Sequence, residues 1–529
     1  MRPLPFQLEA GHLTAALTAL LAFGGAVLLV AAGAIRPGED AAMLFAYSSN
    51  LADSGVISYY PDGPRSEGAT DFLYMVLLAV LQRAGLAPAL GAALLTAVGT
   101  AVTAAICYEI ARPQLGPIAG WRRGLVGFLL ALVLAGTSFL APALQGFSVY
   151  VFLTPIAAIV LCCLRGWATG FFLSALVTCL LRPDGVVFAA PLTALFLWRA
   201  RHRAGTWLLF AVLLLLPGLT YFFWRWSYFG ELFPLPFYVK TAGERNIAGL
   251  FFGSSIRANI YALSNAILVV LIAASLTVPW PRLRDAARAN LALLVTFAVG
   301  FVFYAAVQQA QNEGFRFQAP LVLLSLLLFL RLPIDAAVRL PLLIVAALAG
   351  IMNAYDGFRE ITAESRDDNI TPLAEALHDM PRGTMLVTEA GRLPYGSGWI
   401  AIDSWGLNTP ELSRRVILPD DVVRYRADLV VVHSYAPLDR IEALDFPPAT
   451  ERSWEGHAGN VLLGAAADYD RFYVPCSRLG SPTYEQAPRH DIYLVRRNSP
   501  LAFALRELIA EHDGVTAEQL RMRRRLAPG

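Results

Sequence analysis

Leu13 to Ile35 read LTAALTALLAFGGAVLLVAAGAI, and the chain then runs at once into Arg36-Pro37-Gly38-Glu39-Asp40. The run carries no charge. It is long enough to cross a hydrocarbon layer, which takes roughly 20 apolar residues. It is too long for a signal-peptide core and lacks a convincing small-residue cleavage site, so it reads as an uncleaved first span. Working outward, runs of the same kind fall at about 89–109, 124–141, 147–164, 166–181, 185–199, 206–224, 261–280, 289–307, 318–332 and 340–354. That makes about 11 transmembrane helices, several of them short enough to need kinks or burial within a bundle.

Composition agrees. Of 529 residues, 56% are hydrophobic and 16% charged, against about 25% charged in soluble domains. A net charge of +2 offers no basic field for a polyanion, so no nucleic-acid partner is expected. The charges are also unevenly placed: 36 lie in residues 1–354 and 46 in residues 355–529. The first part is membrane-like. The tail reads as an α/β domain, with strand-type runs at Met385–Thr388, Trp399–Ile402 and Leu429–Val432 and helical patterns around Pro372–Met380 and Leu501–His512. Four of the five cysteines sit in apolar runs, and Cys476 alone lies in the polar tail, so no disulfide is expected there.

Arginine placement sets the orientation. Arg199 to Arg203 and Arg282 to Arg288 are the basic short loops and should be cytoplasmic. Arg122-Arg123, Arg165, and Arg331 with Arg339 then share that side. The N-terminus is cytoplasmic and residues 355–529 lie outside. Residues 72–85 would break this parity if they crossed, so they read as a short re-entrant or interfacial helix. The first external loop is therefore 36–88. Its opening, Asp40 to Asp53, places Met43, Tyr47 and Leu51 on one stripe and Ser48, Ser49 and Asn50 off it, as in a helix lying on the membrane surface.

With that topology, polar residues gather at one aqueous edge. They are Glu39-Asp40, Asp62 to Asp71, Gln145-Gly146, Arg182-Pro183-Asp184-Gly185, Glu231 to Lys240 and Gln308 to Arg316. Each alone has an ordinary explanation, such as a helix cap or a wet loop. Six together point to a site. The chain has one lysine, Lys240, against 41 arginines. A compact ammonium kept beside Tyr238 is a candidate phosphate contact. His12 and His202 are the only histidines of the membrane part and fall on the cytoplasmic side, which excludes a histidine zinc site or a Ser-His-Asp triad at the external edge. Carboxylates can act as a base on a hydroxyl, and arginine and lysine can stabilise a phosphate leaving group.

Several stretches resemble the GT-C superfamily of polyprenyl-phosphate-sugar-dependent glycosyltransferases, nearest the bacterial branch that includes the mycobacterial terminal arabinofuranosyltransferases. Glu39-Asp40 with its following helix resembles the family's acidic pair, which is more often Asp-Asp. Ser66-Glu67-Gly68-Ala69-Thr70-Asp71 resembles its Glu-Gly-Tyr-Thr-Ser-Pro element. Arg182-Pro183-Asp184-Gly185 resembles its Arg-Pro-Glu-Gly turn. Tyr228 to Lys240 and Gly314 to Pro320 resemble its Tyr-Gly-Asp-Leu-Leu-Pro-Asn-Thr-Phe-Tyr-Ala-Lys and Tyr-Arg-Phe-Leu-Val-Pro runs. In the tail, Gly391 to Tyr395 and Asp403 to Asn408 resemble its Gly-x-x-Pro-Tyr and Asp-x-x-Gly-Leu-Asn elements.

The resemblance implies a polytopic helical membrane protein of GT-C type, residues 1–354, with juxtamembrane helices in 36–88 and 225–260, and an extracytoplasmic α/β domain, 355–529. It implies sugar transfer from a polyprenyl-phosphate donor to a glycan, lipid or protein acceptor at a bacterial inner (plasma) membrane. Asp40 is the expected base, with Glu39 assisting. Lys240, Arg316, Arg182 and Tyr238 would hold the phosphate, and Glu67, Asp71, Asp184 and Glu231 would shape the acceptor or sugar side. A divalent cation is compatible with these groups, and no organic cofactor is expected. The rival from another class is a transporter or flippase for a lipid-linked sugar. It would place polar groups near the bilayer midplane, often in internal repeats, and the sequence has no such repeat.

Overall fold

The computed structural model describes residues 9–116, 119–241, 258–260, 275–307, 309, 312–366, 370–446, 449, 453–479, 488–516, 518–519 and 522. The chain packs into two compact units. One comprises Met1–Arg36, Asp71–Arg225 and Leu250–Thr362; the other comprises Pro37–Thr70, Trp226–Gly249 and Ala363–Gly529. Two segments from between the apolar helices thus fold with the tail, and the units do not part at residue 354.

The first unit is an α-helical bundle. Each expected span falls on a helix except 261–280, most of which lies outside the described residues. Among the described residues, five helices are long and apolar enough to cross a membrane alone: Ala10–Ala31, Pro88–Leu115, Ala204–Phe229, Glu313–Leu330 and Ala337–Thr362. Trp280–Ala289 and Leu291–Ala306, bent by 77° at Asn290, make a sixth if taken as one span. Val149–Arg165, Ala168–Leu181 and Gly185–Arg199 are shorter apolar helices, as is Phe72–Arg83, the expected re-entrant segment. The architecture is that of a polytopic membrane protein.

Small residues let these helices approach closely, as in lipid, where dispersion rather than hydrophobic burial joins them. A Cβ on Gly136 would sit 2.6 Å from the Gly350 Cα. Helix Ala10–Ala31 packs on Pro88–Leu115 and Gly120–Ala135, with Gly127 against the Gly11 backbone. One end of this three-helix contact carries charge. His12 Nε2 lies 2.7 Å from Glu109 Oε2, Arg112 and Arg165 both reach Glu109, and Arg112 and Arg123 reach Glu9. In Ala204–Phe229, residues Ala211–Leu215 form a π turn. Pro217 accounts for it: its ring crowds the carbonyl four residues back and it has no N–H to give.

The second unit holds a six-stranded sheet of order β2-β1-β3-β5-β4-β6. The strands are β1 Thr384–Val387, β2 Ile400–Asp403, β3 Leu429–Ser434, β4 Tyr469–Leu479, β5 Pro488–Arg496 and β6 Val515–Thr516. β1, β2 and β3 are parallel; the other pairs are antiparallel. Leu386, Val430, Val432, Ile492 and Leu494 form one core with Val461 and Leu462 of helix Trp454–Ala465. The α/β reading of the tail holds. The expected helices correspond to Ile370–His378 and Ala502–Glu511, and the basic run Arg521 to Arg525 lies almost wholly outside the described residues.

The opening of the first external loop is helical, Glu39–Ser54, but its faces differ from expectation. Ser48 is fully buried and Asn50 nearly so, whereas Met43 and Leu51 are only half-buried. The helix also buries Tyr47, which is on the stripe, completely. Its off-stripe polar groups are satisfied internally: the Ser48 hydroxyl donates to the Leu44 carbonyl and Asn50 Nδ2 to the Ser58 carbonyl, at 3.0 and 2.9 Å. Ser and Asn on a helix look solvent-bound in sequence, but back-bonding makes them buriable.

Candidate active site

In the bundle unit, Arg182-Pro183-Asp184-Gly185 is the break between helices Ala168–Leu181 and Gly185–Arg199. Pro183 cannot continue the first helix. Gly185 is pressed on the Thr178 carbonyl, where a Cβ would collide. The turn points Arg182 back onto Asp184 in a two-pronged pair, Nε to Oδ1 and Nη2 to Oδ2, both 2.9 Å. The Tyr304 hydroxyl donates to Asp184 Oδ2 at 2.6 Å. Phe152 and Phe317 flank the guanidinium at 5.1 and 5.4 Å.

Arg316 enters the same region from a tight turn. Gly314 and Phe315 both have positive φ, 55° and 58°. Gly314 fits because a Cβ there would stand 2.6 Å from the Ser138 carbonyl. The buried Arg316 guanidinium lies over the Phe147 ring at 3.8 Å. Next to Phe147, the Ser148 hydroxyl donates to Asp71 Oδ2 at 2.5 Å. Burial pushes the Asp71 carboxyl above the ordinary aspartate range, although Arg182 and Arg316 pull it down. Asp184 goes the other way: burial would raise it, but the charge and hydrogen bonds of Arg182 outweigh burial and hold it low. The nest thus keeps two buried guanidinium groups beside one well-compensated carboxylate and one carboxyl that burial raises. Ser148 and Tyr304, which donate to Asp71 and Asp184, were not legible as members. No charge or motif distinguishes them in sequence.

The tail-containing unit gathers the other expected residues. Glu39 and Asp40 open the first turn of helix Glu39–Ser54, where carboxylates are favoured. The Glu39 side chain is gripped: Oε1 accepts the Gly391 and Arg392 backbone N–H groups at 2.9 and 3.1 Å, and Oε2 accepts Arg392 Nε at 3.0 Å. Asp40 is half-buried beside it. Tyr47 binds Asn408 Oδ1 at 3.0 Å and accepts the Gly68 N–H at 3.1 Å, while Asn408 Nδ2 reaches Asp403 at 3.0 Å. The tail stretches Gly391–Tyr395 and Asp403–Asn408 therefore hold residues 37–70 in shape. The stretch Gly391–Gly398 contains a short helix, Arg392–Ser397.

Glu67 is buried, and its carbonyl accepts the Leu235 N–H at 3.0 Å. That bond fixes the start of helix Leu235–Thr241, which carries Tyr238 and the exposed Lys240. Glu231 is clamped by both Nη atoms of Arg414, whose guanidinium lies 4.1 Å over the Tyr238 ring. Arg414 is thus a further residue of this group that the sequence did not single out. Arg182, Arg316, Asp71 and Asp184 come together in the bundle unit; Glu39, Asp40, Glu67, Glu231, Tyr238 and Lys240 belong to the other. Among the described residues no group of three or more histidine, cysteine or acidic side chains is arranged to hold a metal ion.

The fold is similar to that of a solved membrane protein, ArnT. Two solved structures of ArnT from Cupriavidus metallidurans carry the likeness. The one bound to undecaprenyl phosphate superposes with a TM-score of 0.56 at 13% identity, over 83% of this chain and 95% of that one. The apo form gives 0.54 at 15% identity, over 82% and 96%. Residues 359–485 match the model of a domain of unknown function, DUF8728. No curated protein sequence matches the chain.

Proposed function

We propose that the chain is a membrane glycosyltransferase that moves a sugar from a polyprenyl-phosphate donor to a cell-envelope acceptor on the extracytoplasmic side. The observation that carries this reading is the bundle unit's nest, in which buried Arg182 and Arg316 stand beside Asp71 and Asp184 at helix ends. Buried guanidinium groups at a helix break suit a lipid-borne phosphate, and charge-assisted donors are strongest where water is excluded. The ArnT neighbour bound to undecaprenyl phosphate supports the donor class.

In this reading Arg182 and Arg316, with Lys240 and Tyr238, hold the phosphate. Asp40 takes the proton of the acceptor hydroxyl as its oxygen bonds to the anomeric carbon. The bond from that carbon to the phosphate oxygen breaks, and polyprenyl phosphate leaves. Glu39 positions Asp40 by anchoring its helix to the Arg392 loop. Glu67, Glu231, Asp71 and Asp184 shape the sugar and acceptor sides. The N-terminus is cytoplasmic, the tail faces the outside of a bacterial plasma membrane, and the boundary of residues 1–354 and 355–529 separates membrane from aqueous surroundings. Polyprenyl-phosphate arabinofuranose is the first donor to try, because the sequence elements resemble that branch.

The test is transfer of radiolabelled sugar from a polyprenyl-phosphate donor by the purified full-length protein. Product formation that Asp40→Asn abolishes supports the reading. Donor movement across liposomes without any transfer would favour the flippase instead.

A further inference from the structure

Helix Gly185–Arg199 starts at the Arg182–Asp184 turn and ends, roughly 20 Å away, at Arg199. At that far end a groove runs between it and helices Val149–Arg165 and Leu291–Ala306, with about 270 Å³ of space open to the outside. Its floor is apolar, with Val160, Leu192 and Leu293, while Cys163, Arg199 and Asn290 stand at the helix ends. Arg199 is exposed. Asn290 Oδ1 accepts Arg331 Nε at 3.0 Å, which brings a second guanidinium to the mouth. Arg339, on the next helix, closes the turn that follows Arg331. It is buried, donates Nη2 to the Leu332 and Ile334 carbonyls at 2.7 and 3.3 Å, and leaves Nε and Nη1 with no hydrogen-bond partner among the described residues. At the same bundle end, Arg112, Arg123 and Arg165 are answered by Glu9 and Glu109. Arg199, Arg331 and Arg339 have no carboxylate partner among the described residues.

The surroundings set the depth of this groove. Three arginines lie over tryptophan rings at this end: Arg122 on Trp121 at 5.2 Å, Arg165 on Trp167 at 4.8 Å and Arg201 on Trp198 at 5.3 Å. Such pairs mark the headgroup level of a bilayer. Helix Trp280–Ala289, which ends beside Asn290, has no buried residue and carries Arg282, Arg284 and Arg288. It is bent by 77° from the apolar helix that follows, so it runs along the membrane plane when that helix crosses. We propose that the groove binds one anionic phospholipid, with the headgroup phosphate on Arg199 and Arg331 and an acyl chain against Val160, Leu192 and Leu293. Basic pockets between spanning helices take such headgroups, and a guanidinium can meet two phosphate oxygens at once. A zwitterionic lipid would bring its own cation to a mouth that already holds unanswered ones. The groove is separate from the nest at Arg182 and Asp184, and its occupancy does not depend on the glycosyltransferase reading.

The experiment is native mass spectrometry of the full-length protein, purified in detergent, stripped of lipid and titrated with phosphatidylglycerol or phosphatidylcholine. Wild type should bind one phosphatidylglycerol at least about tenfold more tightly than phosphatidylcholine. Arg199→Gln and Arg331→Gln should each weaken phosphatidylglycerol by about fivefold. Arg199→Lys should lose less, because the charge remains. Arg122→Gln, at an exposed arginine that does not line the groove, should bind as wild type does. Excess inorganic phosphate should not displace the lipid. Thermal unfolding reports whether each variant folds; if Arg331→Gln does not, Arg199→Gln, at an exposed side chain, decides. Equal affinity for the two lipids, wild-type affinity in Arg199→Gln, an equal loss in Arg122→Gln, or displacement by inorganic phosphate overturns the proposal.

Discussion

Glu39 and Asp40 are adjacent carboxylates with different surroundings, so their variants should fail differently. Asp40→Asn keeps shape and helix-capping ability, since Asn caps as well as Asp. Transfer should fall by about 10²–10⁴-fold, with thermal unfolding unchanged. Glu39→Gln keeps an acceptor for the Gly391 N–H but removes the charge opposite Arg392. It should cost about 1–3 kcal/mol of stability, with a smaller loss of activity. Calorimetry beside the transfer assay separates the two, and equal phenotypes would reverse the assignment. Gly391→Ala tests the same anchor sterically. A Cβ there collides with the Glu39 backbone carbonyl, which cannot swing aside as a side-chain tip can. The expected result is poor expression or a lowered unfolding midpoint, unrelieved by added donor.

The tail sheet is braced at its foot by Asp428. This carboxylate accepts the Thr384 N–H at 3.0 Å, the Ser499 hydroxyl at 2.7 Å and Arg496 Nη2 at 2.6 Å. Burial alone would raise Asp428, but these bonds and the Arg496 charge hold it below the ordinary aspartate range. The folded state therefore binds this proton more weakly than the unfolded state. The stabilisation is full above the ordinary aspartate value and disappears as pH falls through the lowered one. Unfolding of the tail between pH 5 and 2, followed by circular dichroism, should lose part of its acid dependence in Asp428→Asn, whose midpoint at pH 7 is lower. Some elements were legible and others not, for physical reasons. β1, β2 and β3 are apolar runs of buried strand and stood out. β4 and β5 mix Tyr469, Asp470, Arg471 and Arg496 with apolar residues because only part of each faces the core, so no run appears. Arg182, Asp184 and Arg316 were visible because a charge beside an apolar span is costly and needs a reason. Tyr304 and Ser148 were not, since a tyrosine in an apolar helix and a serine just before one are both unremarkable. The inward turn of Ser48 and Asn50 depends on partners far along the chain.

Across the whole molecule, the second unit is assembled from three stretches of chain, and the tail supplies the hydrogen bonds that shape residues 37–70. Removal of residues 380–529 should therefore yield a misfolded protein without transfer activity, rather than an active enzyme missing a lid. Limited proteolysis should then cut within helix Glu39–Ser54, whose Phe45, Tyr47 and Ser48 are buried in the full chain. For the topology, an alkaline phosphatase fusion after Gly529 should be active outside the cytoplasm. An inactive fusion, made in full length but held in the reducing cytoplasm, would remove the external site altogether.

The three-part make-up of that unit also sets a timetable. Glu39 must wait for a partner 352 residues downstream, and Tyr47 for one 361 residues downstream. At a ribosomal rate of about 5–20 residues per second, that interval is roughly 20–70 s. Throughout it, Phe45, Tyr47 and Tyr59, all buried at the end, have no tail to bury them. The nascent loop therefore depends on a holding chaperone or on the lipid surface until translation is nearly complete. A ribosome stalled anywhere short of Asn408 leaves a membrane-inserted chain whose loop cannot mature, and such a chain should be a preferred substrate for membrane proteases.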